Sequence, residues 1–292
     1  MKDSTTRWLL YGSAFAFTAG VLGFWSCEDF EADVTVLLGS AKVQLQAAYM
    51  TPAVDRDGAA LSARAELVAA AVAHLESVER RCPGMAATAE LRGFAHMVCG
   101  EHRAAAARYA AARGCEDCGE EQRDVVTFNE ARMLVAASEP ELALQVLDRY
   151  RVALDARYGQ ARRLTEAAIL SDLGRRDEAA ERLRAVTADA TASPMSRLEA
   201  VTCYLDIGLD EAAATALESV SEELPIADYC RARLKLRQGD VDTSIALLRR
   251  AHAARPAEVR RRLREDVDAW STVSHDIRLL RLQATPPASP GR

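Results

Sequence analysis

Five positions punctuate the chain at nearly constant intervals: Gly100, Ser138, Gly174, Gly208 and Gly239, with steps of 38, 36, 34 and 31 residues. A period near 34 residues is that of stacked helical hairpins, each too small to bury its own apolar face and stable only against its neighbours. Other positions keep fixed offsets from these hinges. Seven residues before them stand Gly93, Ala131, Ala167 and Ala232, with Val201 as the larger exception. Five after them stand Ala105, Ala143, Ala179, Ala213 and Ser244, and nine after them Tyr109, Leu147, Leu183, Leu217 and Leu248. Small side chains let two antiparallel helices approach closely, and the large ninth residue fills the space towards the next hairpin. Seventeen after the hinge, Pro225 and Pro256 are expected to close two of the units, because proline lacks the backbone donor and clashes with the preceding turn.

Composition agrees with a nearly all-α chain. Hydrophobic residues make up 49% of the sequence but aromatics only 5%, and there are just 15 Gly and 9 Pro. Strands would need more β-branched and aromatic residues to cover a pleated surface. A sixth, degenerate unit is expected upstream, its first helix near Glu31 to Tyr49 and its second carrying Ala71, Leu75, Val78 and Pro83. The repeats then occupy 60–256, after that first helix and its connection at 27–59. Over 257–283 one further helix is expected to cap the last hairpin, since Leu263, Val267, Trp270, Val273, Ile277 and Leu280 form a stripe from Glu258 to Gln283. Docking of a partner on that helix is the alternative. Residues 284–292, ATPPASPGR, form a proline-rich tail expected to be disordered.

The segment LGRRDEAAERL, Leu173 to Leu183, together with the hinge spacing, resembles the tetratricopeptide repeat. Elsewhere the consensus tryptophan and paired tyrosines are mostly missing. The resemblance implies a right-handed α-solenoid whose first helices line a concave groove that binds peptide or protein. Carried over position by position, that groove would present Phe94, Met97, Phe128, Arg132, Asp172, Tyr229, Arg233 and Arg237. Its apolar N-terminal half and Arg-rich C-terminal half would suit an amphipathic or acidic segment; ordinary packing between helices is the competing reading of the aromatics. Repeats that clamp a terminal carboxylate carry lysine and asparagine where this chain has Glu90 and Phe94, so that role is not implied, despite Asn129.

The N-terminus sets an expected address. Residues 1–7 include Lys2 and Arg7; Trp8 to Ser26 is then a run of 19 uncharged residues, followed by Glu28, Asp29, Glu31 and Asp33. At about 1.5 Å per residue the run, 8–26, matches a ~30 Å bilayer core, and the charge step points to a single-pass protein with its N-terminus in the cytoplasm and its body outside. A signal anchor, a cleaved signal peptide and a lipoprotein signal ending at Cys27 all remain open; Ser26 suits lipidation, whereas Phe24 and Trp25 do not.

Chemistry is sparsely signalled. The net charge of −6 offers no field for nucleic acid. Arg255, Arg260, Arg261, Arg262 and Arg264 are interrupted by Glu258, Glu265, Asp266 and Asp268, as on a solvated helix face. Cys82 and Cys115 lie 33 residues apart, each just after a second helix, so a disulfide from Cys82 to Cys115 or Cys118 would staple adjacent hairpins. A zinc site on these three cysteines plus a fourth ligand is the alternative, weakened by the absence of a second CxxC. Cys99 reads as a small core residue. No histidine belongs to an HExxH or has a spaced carboxylate partner suggesting a metal, and no G-x-S-x-G, P-loop or G-x-G-x-x-G pattern occurs. The expectation is a non-catalytic scaffold without cofactor, an assembly factor or accessory subunit of a membrane or envelope complex. The alternative is a lipoprotein that holds a small ligand or cell-wall fragment.

Overall fold

The computed structural model describes residues 30–51, 59–220 and 224–284, and all their regular structure is helical. The chain falls into two compact units that meet at Arg157 and Tyr158. The first holds three hairpins: α1 (Phe30–Met50) with α2 (Ala59–Arg81), α3 (Ala86–Val98) with α4 (His102–Gly114), and α5 (Glu120–Ala136) with α6 (Pro140–Arg149). Helix α7 (Arg151–Asp172) crosses the boundary and loses helical geometry at Tyr158, with φ −131° and ψ 27°. The second unit continues α7 into α8 (Arg176–Thr187), then pairs α9 (Pro194–Ile207) with α10 (Asp210–Glu218) and α11 (Pro225–Arg237) with α12 (Val241–Ala254).

Each expected hinge is the left-handed turn between the two helices of a hairpin. Gly100, Gly174, Gly208 and Gly239 have φ between 73° and 81°, and Ser138 has 64°. The residue after each hinge donates its N–H to the carbonyl five positions back: Glu101 to His96, Glu139 to Leu134, Arg175 to Leu170, Leu209 to Tyr204 and Asp240 to Lys235, at 2.8–3.0 Å. This closure satisfies the last carbonyls of the first helix and starts the second without a loop. Gly84 has the same conformation before α3, at φ 82°; the adjoining Pro83 drew attention in the sequence and hid it.

The packing follows the offsets. Ala131, Ala167, Val201 and Ala232 seven before the hinge are fully buried, as are Ala105, Ala143, Ala179, Ala213 and Ser244 five after it. At nine after, Tyr109, Leu147, Leu183, Leu217 and Leu248 are 5% exposed or less. Ser244 replaces alanine without leaving its hydroxyl orphaned, since it donates to the Ala232 carbonyl at 2.8 Å. The degenerate first hairpin obeys the same logic: Ala71, Leu75 and Val78 of α2 pack with Val34, Leu38, Ala41 and Leu45 of α1 and Leu91, Phe94 and Val98 of α3.

The capping stretch is not the one helix expected over 257–283. It forms α13 (Pro256–Glu265), a 3₁₀ turn (Val267–Val273) and α14 (Ile277–Ala284). The break falls at Asp266, whose carboxylate accepts from the Tyr229 hydroxyl at 2.7 Å. Turning there lets Trp270 fold inward, 2% exposed, and donate to the same hydroxyl at 3.0 Å. Ala284, assigned to the tail, is the last residue of α14.

The single-pass placement does not stand. Among the described residues no helix is long and apolar enough to cross a membrane. Helices α1 and α2, 21 and 23 residues long, have the length, and each packs one apolar stripe against the other and α3. The run 8–26 and Cys27 lie outside the described residues.

Ser138 is the one non-glycine residue with positive φ among the described residues. A left-handed side chain costs about 1–2 kcal/mol, against about 0.5–1 kcal/mol for the extra freedom of an unfolded glycine. Ser138→Gly is therefore expected to stabilise the protein by about 0.5–1 kcal/mol, read as a higher denaturation midpoint at unchanged m-value.

Candidate functional site

In the first unit, the first helices α3 and α5 place their groove positions beside α1. Phe94 is 6% exposed, with its ring centroid 6.0 Å from that of Tyr49 in a tilted pair. Met97, one turn on, packs half-buried against the same core. On α5, Phe128 and Arg132 are half-buried and one turn apart. Phe94 thus belongs to the core, while Met97, Phe128 and Arg132 are half-buried.

A polar knot lies among these side chains. Gln122 of α5 donates to the Glu90 carboxylate of α3 at 2.8 Å. Burial raises the Glu90 pKa above the usual carboxylate value, against the lowering effects of Gln122 and of Lys42 on α1. Tyr109 is also raised, by burial first and then by the charge of Glu90, with Arg132 working the other way. The Arg132 guanidinium is lowered by burial, with Tyr109 and Tyr49 opposing. The Glu90 carboxyl and the Gln122 amide are the hydrogen-bonded pair of this group, and the Tyr109 phenol belongs to the core at 1% exposure. Glu90 had been weighed only as a departure from a carboxylate clamp; its link to Gln122, 32 residues away, shows in the sequence only through the repeat period.

The second unit uses its groove positions differently. Tyr229 is fully buried, its ring 5.8 Å from that of Trp270. Arg233 is 4% exposed and pairs with Asp206 at 2.8 Å and Asp266 at 3.5 Å. Exposed Arg237 meets Asp210 at 2.7 Å and the Leu205 carbonyl at 3.2 Å. Asp172 stands exposed at the end of α7. Tyr229, Arg233 and Arg237 therefore tie α11 to α9, α10 and the cap, and the arginine charge expected to attract an acidic segment is already matched by aspartates. These partners, Asp206 and Asp266, were missed, and only their placement near a hinge and in the cap could have signalled them.

The remaining arginine cluster is similarly occupied, with Arg261 meeting Glu258 at 2.6 Å and Glu265 at 2.8 Å, and Arg262 meeting Glu258 at 2.8 Å. Cys82, Cys115 and Cys118 are free thiols, so the disulfide staple is not formed in this structure. Cys82 packs against the α1–α3 core, whereas Cys115 contacts the Ala111 carbonyl at 3.4 Å and Cys118 is 4% exposed in its own turn. The two turns are joined instead by Asp117, which accepts from the Ala86 N–H at 3.0 and 3.2 Å and so caps α3. Cys99, read as core, is exposed. Among the described residues no group of three or more histidine, cysteine or acidic side chains could hold a metal ion. A pocket of about 290 Å³ is lined by Ala214, Leu217, Glu218, Val220, Arg231 and Leu234, just under the usual range for small-molecule sites.

Because burial raises Glu90, its native state holds the proton more tightly than the unfolded chain, and stability falls as pH rises through the carboxylate range. Glu90→Gln keeps an oxygen for Gln122 and removes the charge. It is expected to raise the melting temperature at pH 7 and to lose that advantage as the pH is lowered below the ordinary carboxylate range, checked by thermal unfolding across pH.

No protein-family model matches this sequence, and no curated protein matches it. Among solved structures, the chain is similar to the crystal structure of a tetratricopeptide repeat protein from Parabacteroides merdae, at 16% identity over 76% of this chain and 88% of that one, with a TM-score of 0.47. At that distance the hairpin repeat rests on this chain's own hinges and offsets.

Proposed function

We propose that the chain is a non-catalytic scaffold that binds a segment of another protein on the first-helix face of its first unit. The observation that carries this reading is the presence of half-buried apolar side chains, Met97 and Phe128, on the same two first helices as the bonded pair Glu90 and Gln122 and half-buried Arg132. Apolar anchors supply affinity and a few fixed polar groups set register, the usual division of labour where a peptide lies in a groove. Repeated hairpins supply the rigid platform that such a face requires. The ligand is an amphipathic segment with its apolar side towards Phe128 and Met97. A strongly acidic ligand fits less well, because the second unit's arginines are engaged by Asp206, Asp210 and Asp266. An assembly factor or an accessory subunit would both use such a face.

A photo-crosslinking amino acid at position 128 or 97 tests this in the native host. It is expected to trap one protein or a narrow set, while the same probe at Leu142, 44% exposed on α6, traps nothing comparable. Once a partner is identified, Phe128→Ala is expected to weaken binding about tenfold or more, and Leu142→Ala to leave it within about twofold. Equal trapping at all three positions, or none at 97 and 128, would contradict the assignment.

A further inference from the structure

Helix α1 has two apolar faces. One, formed by Val34, Leu38, Ala41, Leu45 and Ala48, is buried in the first unit. On the opposite side Val36, Val43 and Met50 are 65%, 64% and 79% exposed, and Gly39 and Ala47 lie exposed between them. At 100° per residue these five residues form one stripe about 21 Å long. No charged residue stands at any of its positions. Gly39 has nothing within 4 Å of where a Cβ would lie. A solvent-facing helix surface is ordinarily polar, and this face of α1 is apolar.

The spacing of the stripe identifies what fits it. Its intervals run three, four, four, three about Val43, so the pattern of large, small, large, small, large is the same in both directions. We infer that α1 pairs antiparallel with α1 of a second copy of this chain about a two-fold axis at Val43. Val43 then meets its own counterpart, Val36 meets Met50 of the partner subunit, and Gly39 meets Ala47 of the partner subunit. The small layers let the helix axes approach to about 8 Å, and the large layers interlock. A two-fold contact of this kind is self-complementary by construction, as isologous dimers require. The absence of charge on the stripe disfavours an acidic or basic partner. Leu61, 49% exposed near the start of α2, stands at the same end of the hairpin as Met50. A contact of this length falls in the small class, under about 1,200 Å² in total, which gives a reversible, concentration-dependent dimer.

Sedimentation equilibrium of the full chain over a hundredfold concentration range tests the inference, with Val43→Glu as the disrupting variant. Val43 is on the surface, so circular dichroism of that variant should match wild type. The expected result is a monomer–dimer equilibrium in the wild type and at least about tenfold weaker association for Val43→Glu. Cysteine variants fix the direction: V43C should give a disulfide-linked dimer on treatment with a low-molecular-weight disulfide, V36C alone no more than wild type, and V36C/M50C a linked dimer. Linking by V36C alone would indicate parallel pairing and overturn the antiparallel assignment. A wild-type dimer unaffected by Val43→Glu would place self-association elsewhere. A wild-type monomer overturns the inference: an unreactive thiol in V43C would then mean that another part of the same chain covers the stripe, and a reactive one that a different protein does.

Discussion

In the α3/α4 hairpin the distance between the two helices is set where Gly93, seven before the hinge, faces Tyr109, nine after it, and the same two offsets are buried in the other hairpins. Four hairpins use alanine or valine against leucine. The α3/α4 hairpin uses the extremes, Gly93 against Tyr109. A Cβ built on Gly93 would come within 3.0–3.1 Å of three ring carbons of Tyr109. The ring therefore lies where a side chain on α3 would be, and the missing methyl group is the condition for a tyrosine in a leucine's place. With that distance set, the Schellman-type closure at each hinge turns the chain, and the second helix begins three or four positions after the last residue of the first.

The polar side chains then lock neighbours together. Arg92 reaches Glu79 of α2 at 2.8 Å, Arg113 bonds Glu130 of α5, and Arg162 and Arg182 share Glu166 between α7 and α8. Most of these groups are arginines, whose planar fork suits shared carboxylates. Their use inside the fold leaves less free charge for recognition than the composition suggests. On the first-helix face of the first unit, half-buried Met97 and Phe128 and the Glu90–Gln122 pair remain in reach of solvent, and the functional proposal rests on that face.

The hinges and offsets were legible because each follows from a local steric rule: a left-handed turn, a close approach, a filled gap. Ser138 was found among glycines by spacing alone, and it adopts their conformation. Side-chain roles on the first helices were far less legible. Tyr229 and Arg233 occupy positions that line a groove in the resembling family, yet here they are buried by a cap that breaks at Asp266. A helical stripe from Glu258 to Gln283 could not reveal that break, because it depends on a hydrogen bond to a residue 37 positions away. The cysteine staple failed for a similar reason. Adjacent second-helix ends do approach, but Asp117 rather than a thiol makes the connection.

The most direct test of the packing account is a double-mutant cycle on Gly93 and Tyr109, followed by denaturant unfolding. Gly93→Ala should cost about 1–3 kcal/mol as an overpacked contact, and Tyr109→Leu should cost stability alone through the space it opens. The double variant, which reproduces the alanine–leucine pair of the α5/α6 and α7/α8 hairpins, should recover most of the Gly93→Ala penalty, with a coupling of about 1 kcal/mol or more. Additive losses would contradict the claim that these two positions set the spacing of the hairpin.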